Sequence, residues 1–78
     1  MKVRDVIKMK YLIVIEKTET GFSAYSPDLD GCIATGSTRD EVMQAMREAI
    51  KFHLDGLKAE GYNIPSPHTY SIYIEIPA

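Results

Sequence analysis

Two aspartates beside a glycine form the most chemically suggestive group in this 78-residue sequence. Asp28 and Asp30 precede Gly31, and carboxylates at alternate positions of a loop are typical of calcium-binding loops. A loop of the EF-hand type also requires a glutamate at its twelfth position, and counting from Asp28 places Arg39 there. We therefore interpret residues 27–31 as a turn that can serve as a contact surface, not as a metal site.

The single cysteine and the two histidines are candidates for nucleophilic or zinc chemistry. Cys32 has only His53 and His68 as histidine bases, and it is predicted at the start of a strand, not at a helix N-terminus. A small buried side chain is the better interpretation of Cys32. One cysteine and two distant histidines do not form a zinc ligand set, so we expect no metal and no cofactor. His53 falls within an apolar helix face, which indicates a core or interface histidine, with a ligand or general base as the alternative.

The remaining acids do not form a catalytic set. Metal-dependent nucleases bring several carboxylates together on a pair of ions. The acids here lie mainly in the loop at 28–30 and at a helix start, Asp40 and Glu41, where capping explains them. We predict that the protein is not an enzyme. The five tyrosines lack interleaved Lys or Arg, which favours a protein interface over base stacking.

Three short strands are predicted in the first half of the chain. Residues 11–15 are five consecutive apolar residues bounded by charges. A turn at 18–21, with Gly21 available for a positive φ, leads to a second strand at 22–26. A third strand at 32–35 ends at Gly36.

One long helix follows. Thr38 and Glu41 have the spacing of a capping box, in which each side chain accepts a hydrogen bond from the other residue's amide. Gly61 predicts that the helix ends near Glu60. The apolar arc of this helix covers about 200°, where roughly 100° is enough to cover one sheet. The surplus apolar surface predicts a second contact.

A last strand is predicted at 69–76, with one buried face. Apolar side chains alternate with Ser71, Tyr73 and Glu75 in this segment. The fold class is therefore α+β, with the order β-β-β-α-β and an antiparallel, hairpin-based sheet under one helix. Residues 1–78 are expected to form a single domain, with 1–9 as a lead-in and 10–76 as the folded core.

The small size of the chain predicts oligomerisation. A domain of this length buries only about 60% of its unfolded surface. With one cysteine and no metal site, a homodimer or homotetramer is the expected source of additional stability. The longest apolar run is too short for a bilayer and the N-terminus does not match a signal peptide, so we expect no membrane contact and a reduced, cytoplasmic location.

The charge distribution favours a basic partner. Residues 1–10 carry four basic residues and one acid, whereas residues 11–78 carry five basic residues and ten acids, a net charge of −5. Nucleic-acid-binding domains usually present a basic face, so an acidic body favours a basic protein as the partner.

Several segments taken together resemble the HicB antitoxin family over residues 10–67. They are YLIVIEK at 11–17, GFSAYSPDLDGCIATGSTRDE at 21–41, the helix segments at 49–50 and 53–54, and Gly61 with 64–65. The resemblance implies a degenerate, partial RNase H-like fold without nuclease activity. It also implies an antitoxin that binds a small basic HicA toxin, an mRNA-cleaving protein with a double-stranded-RNA-binding-like fold, and that forms dimers or higher oligomers.

The resemblance leaves other functions open. Many family members continue into a C-terminal DNA-binding domain, and this sequence stops at Ala78, so we expect no direct DNA binding. The alternatives are a small RNA-binding or nuclease-like protein, or a solitary oligomeric regulatory or structural domain with no toxin. For toxin binding, exposure and charge, not the family, suggest a contact set. It consists of Tyr25, Asp28, Leu29, Asp30, Glu41 and Glu48.

Overall fold

Three short antiparallel strands and one long helix form the fold. The computed structural model describes residues 8–78, so the predicted lead-in at 1–9 lies largely outside the described residues. The elements are β1 (Val14–Lys17), β2 (Phe22–Tyr25), β3 (Ile33–Gly36) and α1 (Arg39–Ala59), and the sheet order is β1-β2-β3. The predicted α+β class, with a hairpin-based antiparallel sheet and one long helix, is confirmed.

The β1–β2 turn packs closely against the end of β3. The amide of Thr18 donates to the carbonyl of Gly21 over 2.8 Å, and the amide of Gly21 donates to Thr18 Oγ1 over 3.0 Å. The expectation of a positive φ at Gly21 is wrong, because the positive-φ glycines of the described chain are Gly31 and Gly61. Gly21 is required for another reason: a Cβ there would overlap the carbonyl oxygen of Gly36 on β3.

The helix start has one half of the predicted capping box. Thr38 Oγ1 accepts a hydrogen bond from the amide of Glu41 over 3.1 Å, as predicted. The reciprocal bond is different, because Glu41 Oε1 accepts from the amide of Ser37 over 3.4 Å, not from Thr38. The carboxylate therefore satisfies the amide one residue earlier, where the chain leaves β3.

The helix end has the predicted glycine. Gly61 has a φ of 77°, a conformation that a side chain would disfavour. The amide of Tyr62 donates to the carbonyl of Leu57 over 2.9 Å, and that of Gly61 donates to Lys58 over 3.1 Å. These two bonds form a Schellman motif, which satisfies the last carbonyls and stops the helix near Glu60.

The core lies between one face of the sheet and α1. The helix packs over β2 and β3. The buried apolar side chains are Ala24, Leu29, Cys32, Val42 and Met46. The surplus apolar surface predicted for the helix is confirmed, since Phe52 is 82% exposed and Met43 is 44% exposed.

The predicted last strand does not form within this chain. Residues 63–78 contain no helix or strand, and residues 70–78 are all exposed. Alternating apolar residues define two faces, but a strand also needs a neighbouring strand for its backbone hydrogen bonds. The described part of the chain gives this segment no such neighbour, and the predicted buried face is wrong for the single chain.

Candidate functional site

The loop between β2 and β3 is an internal anchor for the C-terminal part of the chain. The Asp28 carboxylate accepts hydrogen bonds from the amide of His68 over 2.9 Å, from the amide of Thr69 over 3.1 Å and from the Thr69 hydroxyl. His68 Nε2 lies 3.1 Å from the same carboxylate. The Thr69 hydroxyl is the main cause that lowers the pKa of Asp28, with the two amides and His68 acting in the same direction against burial.

The loop itself turns inward. Ser26 Oγ donates to the carbonyl of Leu12 over 3.0 Å, and the amides of Leu29 and Cys32 donate to the carbonyls of Ser26 and Leu29 over 3.2 and 3.3 Å. These bonds place Leu29 in the core with 1% exposure, and Asp28 is 8% exposed. The expectation that 28–30 is an exposed contact loop is therefore wrong for Asp28 and Leu29. Asp30 is exposed.

A second contact holds the segment that precedes His68. The Tyr11 hydroxyl donates to the carbonyl of Pro65, a residue 54 positions later in the chain. Burial raises the pKa of Tyr11, and the nearby charge of Asp28 adds to the effect. Together with Asp28, Tyr11 fixes residues 65–69 against the body of the protein.

The six residues predicted as a contact set do not form one patch. Tyr25 and Asp30 lie at the end of the sheet that carries the β2–β3 loop, whereas Glu41 lies at the opposite end, where β3 leads into α1. Glu41 also contributes to the helix start. Glu48 is exposed two turns further along the helix.

An apolar row crosses the sheet on the face that α1 leaves uncovered. Tyr25 pairs with Val14 on β1 and with Ile33 on β3. These side chains point away from the core because their strand neighbours Ala24 and Ala34 face it. Ile33 is 70% exposed and Tyr25 is 42% exposed. We call Val14, Tyr25 and Ile33 the outer sheet row. The period-2 pattern around Tyr25 could have identified Tyr25 as outward-facing, but the row itself depends on the strand register.

Cys32 and His53 lie on the same cleft. The cleft has a volume of about 490 Å³ and is also lined by Phe52 and Tyr62. Burial raises the pKa of the Cys32 thiol, whereas a nucleophilic cysteine needs a lowered pKa. The arrangement therefore favours the buried, structural interpretation of Cys32.

Two further features bear on possible chemistry. Within residues 8–78, no group of three or more His, Cys, Asp or Glu side chains is placed to hold a metal ion. Across the same residues, no helix combines the length and apolarity that crossing a membrane requires.

Known proteins are similar in sequence to most of this chain. A Haemophilus phage HP1 protein of 14.9 kDa is 36% identical over 69 residues, which are 88% of this chain and 52% of the phage protein. Antitoxin HicB 2 of Photorhabdus laumondii is 30% identical over 71 residues, which are 90% of this chain and 51% of that antitoxin. The chain thus spans about half the length of these two relatives.

A solved structure and a family model show the same relationship as those relatives. A structure described as the HicA3 and HicB3 toxin-antitoxin complex contains a chain that is 40% identical and superposes with a TM-score of 0.66. The match covers 77% of this chain and 70% of that one. The model of the HicB-like antitoxins of bacterial toxin-antitoxin systems matches residues 11–78. This chain therefore belongs to the HicB-like antitoxin family.

Proposed function

We propose that this protein is the antitoxin of a toxin–antitoxin pair and that it binds and masks a small basic HicA-type toxin without catalysis of its own. The observation that carries the proposal is family membership over residues 11–78, together with the likeness to a chain of the HicA3 and HicB3 complex. Masking means that the bound antitoxin covers the surface with which the toxin contacts RNA.

The charge of the protein supports a basic partner. Residues 11–78 carry a net charge of −5. The exposed acids include Asp30, Asp40, Glu48 and Glu60. Complementary charge accelerates association with a basic protein and disfavours contact with nucleic acid, whose phosphates repel the same surface.

The outer sheet row is the surface we assign to the toxin. An exposed tyrosine with an adjacent aliphatic side chain is typical of the centre of a protein interface, and Asp30 supplies an acid at the edge of this one. Glu41 and Glu48 are exposed acids that attract the toxin over a longer range. Asp28 and Leu29 act from inside, by holding the loop that carries Asp30.

A homodimer or homotetramer in the reducing cytoplasm is the other part of the proposal. Exposed apolar side chains on α1 support self-association, and Cys32 is a free, buried thiol.

Isothermal titration calorimetry with a purified HicA-type toxin from the same genome tests the toxin assignment. We expect binding at low salt and inhibition of RNA cleavage by the toxin. Raising the salt from about 50 mM to about 500 mM should weaken binding by roughly tenfold. Changing Tyr25→Ala together with Asp30→Lys should weaken it by at least about tenfold.

Glu19→Lys is the matched control, because Glu19 is an exposed acid in the β1–β2 turn at the opposite end of the sheet. This variant should bind within about twofold of the unchanged protein. Absence of toxin binding at low salt would contradict the proposed function. Retention of single-stranded RNA instead of toxin would favour the RNA-binding alternative.

A further inference from the structure

The C-terminal segment projects from the protein as an apolar arm. Its large side chains are largely exposed: Tyr70 is 86% exposed, and Ile72, Ile74 and Ile76 are 71%, 71% and 72% exposed. The described chain measures 56 Å along its longest axis and only 29 and 26 Å along the others. Its radius of gyration is 15.5 Å, whereas about 11 Å is expected for a compact chain of this length. We call residues 70–76 the arm.

The arm leaves the body from a fixed point. Asp28 binds His68 and Thr69, immediately before the arm, and Tyr11 binds Pro65. Because residues 65–69 are held at two points, the arm is presented in a defined direction. The apolar side chains of the arm are not buried against the body of the protein.

The body has a largely apolar groove that can receive the arm. Met9, Tyr11, Ile13 and Ile15 line one side at alternate positions, and Met43, Met46 and Ile50 of α1 line the other, together with Arg39 and Arg47. The groove has a volume of about 400 Å³. Within residues 8–78, α1 packs mainly over β2 and β3, so the groove on the β1 side stays open.

Within residues 8–78, the outer edge of β1 beside the groove pairs with no other strand. β1 pairs with β2 on one side and lies at the end of the sheet order. An edge strand offers unpaired backbone groups to an incoming strand. The arm has the complementary pattern, with four apolar side chains on one face and Ser71, Tyr73 and Glu75 on the other.

We propose that the arm of one copy of this protein adds to the β1 edge of a second copy and fills its groove, and that the second copy returns the same contact. This inference deepens the proposed homo-oligomer and names its interface. The arm becomes the strand that its sequence predicts, but its partner strand lies in the other protomer. A two-fold symmetric exchange of this kind uses each arm and each groove once.

The area supports a second copy as the occupant. One apolar face of the arm would bury roughly 400 Å², counting about 150 Å² for a tyrosine and about 80 Å² for an isoleucine. Two reciprocal arms would then bury about 800 Å² of arm surface in addition to the surfaces that receive them, against the roughly 1,000 Å² in total that a specific interface needs. A single chain therefore carries both halves of the contact.

Size-exclusion chromatography with light scattering tests the exchange. The unchanged protein should be at least a dimer at micromolar concentration. Ile72→Asp with Ile74→Asp should raise the dissociation constant by at least about a hundredfold, while Tyr73→Asp, on the opposite face of the arm, should not. Circular dichroism should show that both variants keep their helix. An unchanged protein that stays monomeric, or a dimer that resists the double change, overturns the proposal.

Cross-linking separates exchange from a contact within one chain. In a Cys32→Ala background, one tagged protein carries Ile13→Cys and a differently tagged protein carries a cysteine in place of Ile72, Ile74 or Ile76. Mild oxidation of the mixture should give a covalent dimer with both tags for at least one position, and no such product with Tyr73→Cys. If no position gives it, or if a protein with both changes cross-links only within itself, the proposal is wrong.

Toxin binding is measured on the same variants. The Ile72→Asp and Ile74→Asp protein should still bind the toxin through the outer sheet row. If Tyr25→Ala abolishes toxin binding but the variant is still a dimer, the arm exchange is supported as a contact separate from the toxin surface. A dimer that exchanges arms but never binds toxin would contradict the proposed function alone.

Discussion

The β2–β3 loop and the C-terminal arm show opposite relations between residue type and burial. The loop contains Pro27, two aspartates and Gly31, which are typical of exposed turns, yet Asp28 and Leu29 are buried. The arm contains three isoleucines and two tyrosines, which are typical of a core, yet it is exposed. The difference lies in the contact partners. The Asp28 carboxylate has its hydrogen-bond donors within the chain, whereas no surface among residues 8–78 covers the isoleucines.

The two regions are physically connected. The buried carboxylate of the loop binds the backbone immediately before the arm. The loop is therefore the support that presents the arm. Substitutions in the loop should therefore destabilise the fold, whereas substitutions in the arm should weaken only association.

Leu29→Ala should have the largest effect. It removes a fully buried side chain and leaves a cavity, which should lower the free energy of unfolding by about 2–5 kcal/mol. Urea denaturation followed by circular dichroism measures this change. The loss should be the same at every protein concentration, because Leu29 lies within one chain.

Ile74→Ala is the matched change in the arm. In a dilute sample of separate chains it should alter the free energy of unfolding by less than about 0.5 kcal/mol. Its effect should appear only at concentrations where the chains associate. An equal loss at all concentrations would show that the arm belongs to the core of its own chain.

Asp28→Asn should have the next largest effect. An amide oxygen replaces a charged acceptor of several hydrogen bonds, so the amides of His68 and Thr69 should exchange with deuterium about tenfold faster or more. Amides within α1 serve as the internal reference. If His68 and Thr69 keep their protection, the loop does not hold the root of the arm.

Acid should reproduce that change in the unmodified protein. The pKa of Asp28 is lowered from its ordinary value of 3.8, mainly by the Thr69 hydroxyl. The stabilisation is therefore complete well above pH 3.8 and is lost as the pH falls through the lowered pKa. A melting series from neutral pH to about pH 2 should show this loss, and the Asp28→Asn protein should lack that component.

Thr38→Ala should have a smaller effect on folding, at a position where the predicted and the observed hydrogen bond agree. Removing the hydroxyl that accepts from Glu41 should cost about 1 kcal/mol of folding free energy, independent of protein concentration. Urea denaturation measures the loss, and Thr38→Ser should recover most of it. A neutral Thr38→Ala change would mean that the Glu41–Ser37 contact alone is sufficient to start the helix.

Tyr73→Ser should have the smallest effect. Tyr73 is fully exposed on the face of the arm opposite the isoleucines. The free energy of unfolding should change by less than about 0.5 kcal/mol, and the oligomeric state should not change. A large effect on association would place the contact on the other face of the arm.

The helix and the three strands could be predicted because their signals are local. Thr38 and Gly61 mark the helix to within a residue or two, and β2 and β3 lie within one residue of their predicted bounds. β1 is displaced from the apolar run at 11–15 that predicted it: it begins three residues later and ends two residues further on, because only Val14–Lys17 pairs with β2. Strand pairing, not apolarity, sets that boundary.

The candidate site was harder to predict, because exposure depends on what lies opposite a residue. Tyr25 and Asp30 are exposed as expected, and Asp28 and Leu29 are not. The role of Ile33 follows from its register with Tyr25, which the sequence alone does not fix.

Local signals predict the order of the first four elements and both helix ends, because caps, turns and periodicity act over a few residues. The family and the acidic charge can likewise be read from the residues alone. Folding, by contrast, turns the aspartate loop inward and leaves the last predicted strand away from its own sheet. Those outcomes depend on contacts between residues that are distant in the chain, such as Ser26 with Leu12, 14 positions apart, and Asp28 with Thr69, 41 positions apart. A periodic pattern shows which face of a strand is apolar, but it does not show which chain covers that face.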